Sequence, residues 1–100
     1  MDSGVHEFKA KLWAWKGDAA WHFLTLPEDL SAQIRFFSAQ PKRGFGSVRV
    51  EARIGSSAWK TSIFPSKSHN AYLLPVKADV RRAERLSVGK IARVQLKVSG

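Results

Sequence analysis

One hundred residues, 44% of them hydrophobic and 11% aromatic, suffice for one compact core and exclude a second. The lack of cysteine excludes disulfides and thiolate metal sites as supports for the fold, and fits the cytoplasm. Seventeen Lys and Arg against eight Asp and Glu leave a net charge of +9, a field that attracts polyanions, of which nucleic acid is the usual one.

The first residues, MDSGVHEFKAK, carry no apolar stretch behind a basic one, and nowhere do about 18 apolar residues run together. The expectation is therefore neither a signal peptide nor a membrane span. Val5–Trp15 alternates, with Phe8, Ala10, Leu12 and Ala14 on one face and Lys9, Lys11, Trp13 and Trp15 on the other, the period of a half-buried strand. Two tryptophans beside two lysines could form a stacking platform for bases or sugars, but the outer face at one end of a barrel is often covered by a helix, and core tryptophan is the favoured reading. Lys16-Gly17-Asp18 makes a turn.

Trp21–Pro27, WHFLTLP, is an apolar run that stops at a Leu-Pro pair; proline has no N–H to give to a ladder and suits a strand end. Leu30, Ile34 and Phe37 then fall at i, i+4 and i+7, one face of a helix whose first turn carries Glu28 and Asp29 where the macrodipole favours them. Those carboxylates have no partner base or nucleophile in view, so stability and not acid–base chemistry accounts for them. Gln40–Gly46, QPKRGFG, reads as an exposed connector in which Lys42 and Arg43 could clasp a phosphate. The next strand sets Val48, Val50, Ala52 and Ile54 inward and Arg49, Glu51 and Arg53 outward.

Gly55-Ser56-Ser57 turns the chain into AWKTSIF, and Pro65–Asn70 turns it out again. The hydroxyls there gather around His69, but no Gly-x-Ser-x-Gly elbow, no Ser-x-x-Lys and no third member accompany them, and turn chemistry explains them. Three scattered histidines without cysteine give no metal-ligand spacing, and no cofactor motif is present. The reading is of a protein that is not an enzyme and holds neither metal nor cofactor.

From Asn70 the order of events repeats: an apolar run ends at Leu74-Pro75, Val76, Val80 and Ala83 fall on one helical face, Gly89 turns the chain, and KIARVQLKV alternates as a strand. The chain thus reads twice as strand, strand, Leu-Pro, short helix, strand, with repeat one at about 5–54 and repeat two at about 55–100 of a single domain, 1–100. The expected fold is mainly β: a small closed six-stranded barrel with a pseudo-twofold internal repeat and two short helices, closure removing exposed edges. The two Leu-Pro units are expected in equivalent places.

The strings GSSAWKTSIFP and YLLPVKADVRRAERLSVGK, followed by the alternating strand, with WHFLTLP earlier, resemble the bacterial family catalogued as domain of unknown function 1905, over nearly the whole chain. The family commonly has Gly-Asp where this chain has Gly89-Lys90. The resemblance implies a barrel of the double-split type and no particular activity. The order from Pro75 to Val98 is also distantly similar to the swapped-hairpin element of AbrB- and MazE-type DNA-binding proteins, in which two short chains pair to form one barrel. That likeness implies contact with DNA through one basic face, for which Lys60, Lys77, Arg81, Arg82 and Arg85 are the candidates, joined by Lys42 and Arg43 of the connector. Three arginines within two helical turns cannot all be neutralised by Asp79 and Glu84. The competing expectations are a small-molecule or carbohydrate pocket built from Trp13, Trp15, Trp59 and Tyr72, and a domain that only contacts another protein. The chain is expected to be a monomer or weak homodimer.

Overall fold

The computed structural model describes residues 4–17, 21–37 and 46–99. Lys42 and Arg43 lie outside the described residues. Among the described residues seven strands and two helices follow in the order β1 (Val5–Lys11), β2 (Trp13–Ala14), β3 (His22–Thr25), α1 (Glu28–Phe37), β4 (Val48–Ile54), β5 (Ser57–Ser66), β6 (Ala71–Pro75), α2 (Ala78–Ala83) and β7 (Ile91–Val98). They form one antiparallel sheet, ordered β1-β7-β4-β5-β6-β3-β2, which curls into a half-barrel.

This corrects the expected closed six-stranded barrel. The stretch read as one strand, Val5–Trp15, breaks at Leu12, whose N–H and C=O bond Lys90 and Gly89 in the turn before β7. β1 therefore pairs with β7 and β2 with β3, so one bent stretch supplies both ends of the strand order. β5 does the same without a break: Ser57–Ile63 pair with β4, and Phe64–Ser66 pair with β6.

Exchanging β1 and β2 with β5, β3 with β6 and β4 with β7 leaves the list of neighbours unchanged. The registers obey the same exchange. Aligning Pro27 with Pro75 carries Trp13↔Phe23 onto Ser66↔Ala71, and with it Val5↔Lys97 onto Ala58↔Arg53 and Phe8↔Val94 onto Thr61↔Val50. Two pairs are carried onto themselves, Thr25↔Leu73 and Ala52↔Leu96.

Alternation puts one face of each strand into the core. Val48, Val50, Ala52 and Ile54 of β4 and Ala92, Val94 and Leu96 of β7 are buried, as are Phe8, Leu12, Leu24, Trp59, Ile63, Tyr72 and Leu74. Each Leu-Pro pair ends its run, and the helix after it closes over the core. In α1, Leu30 and Ile34 are buried as the periodicity requires, but Phe37 is exposed and the third inward side chain is Ser31. Its hydroxyl accepts the Tyr72 N–H at 3.0 Å, while the Tyr72 C=O accepts the Leu26 N–H. The Arg35 guanidinium lies 5.8 Å from the centre of the Tyr72 ring, so α1 is fastened to β6 around one residue. In α2, Val80 is buried and Ala83 is not, because the helix stops there.

The end of α2 is a Schellman turn: Leu86 N–H bonds Arg81 C=O, Arg85 N–H bonds Arg82 C=O, and Leu86 folds back against the core. Arg85 holds the left-handed position at φ 55°, where glycine is usual. Glu84, one residue before, reaches across to the β4–β5 hairpin and accepts the Ser57 hydroxyl at 2.6 Å and the Ser56 hydroxyl at 3.4 Å. Gly55 in that hairpin has φ +59°, and a Cβ there would collide with the Glu84 carboxylate.

Three stability measurements test this packing. Ser31→Ala leaves the buried Tyr72 N–H without a partner and should cost about 1–3 kcal/mol in urea unfolding. Gly55→Ala should destabilise by about 1–3 kcal/mol, through backbone strain and displacement of Glu84. Arg85→Gly should raise the unfolding free energy by about 0.5–1 kcal/mol by relieving the left-handed arginine; a loss of stability instead would contradict the strain assigned to that position.

Candidate functional site

The outer face of β1, β7, β4 and β5 gathers charge of one sign. Lys9, Lys11, Arg49, Arg53, Lys60, Arg93 and Lys97 are exposed on it, against two carboxylates, Glu7 and Glu51. The register decides who meets whom. Glu51 stands between Lys60 on one neighbouring strand and Lys97 on the other, and Glu7 accepts a bond from Gln95 at 3.1 Å. Lys9 stands directly opposite Arg93, a like-charge pair that works against the sheet. Among the described residues none of these cations is ion-paired.

The candidates on α2 form a different surface. Arg81 is half-buried and turns its Nε back to the Val76 carbonyl at 3.2 Å. Arg82 pairs with Asp79 at 2.8 Å, an exposed contact that contributes little to stability. Glu84 is engaged by the hairpin serines and neutralises no arginine of the helix. Arg85 and Lys77 are exposed. Lys60 belongs to the sheet face and not to the helix, so the structure divides the expected cation set between two surfaces.

The four proposed pocket aromatics also divide. Trp59 and Tyr72 are core residues, Trp59 opposite Ala52 on the inner face and Tyr72 beneath α1. Trp13 and Trp15 lie on the outer side and no helix covers Trp15, which is 50% exposed. The two pairs therefore lie on opposite sides of the sheet.

Around Trp13 the outer side of β2, β3 and β6 carries a second, smaller apolar cluster. Phe23 and Leu73 are buried there, apart from the main core. Trp13 donates its indole N–H to the Thr25 hydroxyl at 2.9 Å, packs 5.2 Å from Phe23 and stacks on His69 at 5.1 Å. Trp21 stacks on Phe23 at 6.0 Å, and Trp15 meets the edge of the same ring at 6.3 Å. The Trp15 N–H bonds the Trp21 carbonyl, so the two half-exposed indoles stand on paired backbone. Sequence reading left Trp21 out, because only the register places it beside Trp15.

His69 Nδ1 lies 2.9 Å from the Ser66 hydroxyl and 3.2 Å from that of Ser68. Ser66 ends β5, and Ser68 and His69 lie in the short turn after it, the pattern of a polar turn closing on itself. Among the described residues no group of His, Asp or Glu is placed to hold a metal ion, and no helix is long and apolar enough to cross a membrane.

No curated protein matches the chain. A family model described as "Domain of unknown function (DUF1905)" matches residues 8–96, which takes in both helices, all of β2 to β6 and most of β1 and β7. With the Leu-Pro strands, the helices behind them and nearly all of the alternating strands that follow inside that match, the chain belongs to the DUF1905 family.

Proposed function

We propose that this domain is a non-catalytic binding module that holds an anionic polymer, nucleic acid, against the outer face of β1, β7, β4 and β5. One observation carries the reading: seven cations share that face with two carboxylates, and two of the cations, Lys9 and Arg93, are opposed on neighbouring strands at a cost to the sheet. Charges placed only for solubility are as useful scattered, and repulsion between strands is then avoidable. A polyanion converts the repulsion into attraction and releases condensed counterions as it docks. The α2 arginines are secondary, since Arg81 and Arg82 already have partners. The exchange that carries one set of ladders onto the other supports a duplicated unit, about 5–54 and 55–100, as the basis of the fold.

The test is the salt dependence of binding to a short DNA duplex. Replacing Lys9 and Arg93 together by Ala should flatten the slope of log affinity on log salt by one to two contacts, each worth about 0.9. That variant should melt no lower than the parent, because an unfavourable cross-strand pair has gone. Replacing Arg82 and Arg85 by Ala removes the same charge from α2 and should leave the slope near that of the parent. Equal losses from both variants would mean that net charge alone drives binding, and the face assignment would fall.

A further inference from the structure

We infer that the cluster of Trp13, Trp15, Trp21 and Phe23 is a stacking platform for the bases of single-stranded nucleic acid, whose backbone reaches it along Lys9 and Lys11. The inference rests on the reading of the sheet face as a nucleic-acid surface and names which form of the polymer this end takes. Lys9, Lys11, Trp13 and Trp15 occur at alternate positions along one bent stretch, with Phe8 and Leu12 buried on its other side. Lys9 and Lys11, alternate positions within β1, stand about 6.6–6.8 Å apart, and the bend at Leu12 carries the stretch on to Trp13 and Trp15. Cations therefore lead directly into aromatic faces, the pairing of groups by which single strands are held without regard to sequence.

The platform is preorganised from below. The hydrogen bond from Trp13 to Thr25 and its stacking on His69 fix the first ring, and Phe23 supports Trp15 and Trp21, which remain 50% and 52% exposed. Rings held in this way lose little freedom when a base lands on them.

The fold itself supplies a control. The register that carries the first unit onto the second places Ser66↔Ala71 where Trp13↔Phe23 stands. Beyond those pairs the second unit has only the turn Lys67–Asn70, where the first extends to Trp15 and Trp21. The architecture thus closes this corner once with serine and alanine, so it does not require four aromatics to close it the other time. A duplex keeps its bases stacked within, so its backbone can use the sheet face and leave the platform empty. An uncharged sugar would use the rings but not the lysines, and the charge beside the rings favours the nucleic acid.

Binding of a labelled oligothymidylate, its abasic counterpart of equal length and a short duplex, each measured near physiological salt, tests the assignment with the full chain. The expected result is oligothymidylate bound about tenfold tighter than the abasic strand, with quenching of tryptophan fluorescence. Trp15→Ala with Trp21→Ala should bring oligothymidylate down to the abasic affinity, and Trp15→Tyr with Trp21→Tyr should restore most of the difference. Both side chains are half in water, and an unfolding midpoint for each variant verifies that the fold is intact. If the abasic strand and the duplex bind as tightly as oligothymidylate without quenching, the platform assignment is overturned and the basic face stands. If none of the three binds, both are overturned. A neutral oligosaccharide that quenches the tryptophans where oligothymidylate does not would also overturn it.

Discussion

Two stretches of this chain must each satisfy two neighbours at once, and the rest of the structure depends on how they bend. Backbone donors and acceptors in a curled sheet need partners on both sides, and a strand that leaves one ladder must enter another or face water. Leu12 makes that transfer by bonding to the Gly89–Lys90 turn, and β5 makes it between Ile63 and Phe64 without interruption. Both corner residues that turn inward, Leu12 and Ile63, are buried. The bend at Leu12 brings β1 and β2 to opposite ends of the strand order, and the two bends together give the sheet its inside and outside.

Periodicity made much of this legible. The inward faces of β4 and β7, the strand end at each Leu-Pro pair and the acidic first turn of α1 all follow from local rules, and the order of the two units follows from their recurrence. What local rules could not supply was pairing. Ser31 looks like an ordinary polar residue until Tyr72, forty-one positions away, is brought to its hydroxyl. Glu84 looks like a counter-ion for its own helix until the hairpin serines claim it. The break at Leu12 is invisible to alternation, because a bent strand and a straight one alternate alike.

The same limit explains the candidate site. Each strand displays its own outward cations, but only the register places Lys9 against Arg93 and surrounds Glu51 with Lys60 and Lys97. A helix, by contrast, shows its charges together in sequence, which drew attention to Arg81, Arg82 and Arg85. Two of those three are already engaged locally. For the aromatics, Trp13 and Trp15 could be seen to share a strand face with Lys9 and Lys11, whereas Trp59 and Tyr72 could be assigned to the core only once their strands had partners.

The two pairs that the exchange of units carries onto themselves, Thr25↔Leu73 and Ala52↔Leu96, are places where a position meets its own counterpart. In an assembly of two identical half-length chains such a place must hold two copies of the same side chain, so a pair of leucines would crowd the interior and a pair of alanines would leave a void. Joined in one chain, the halves are free to differ there. Ala52 and Leu96, both fully buried, set a small side chain against a large one at the point where strict symmetry would forbid it. Covalent linkage thus releases the interior from matching like with like.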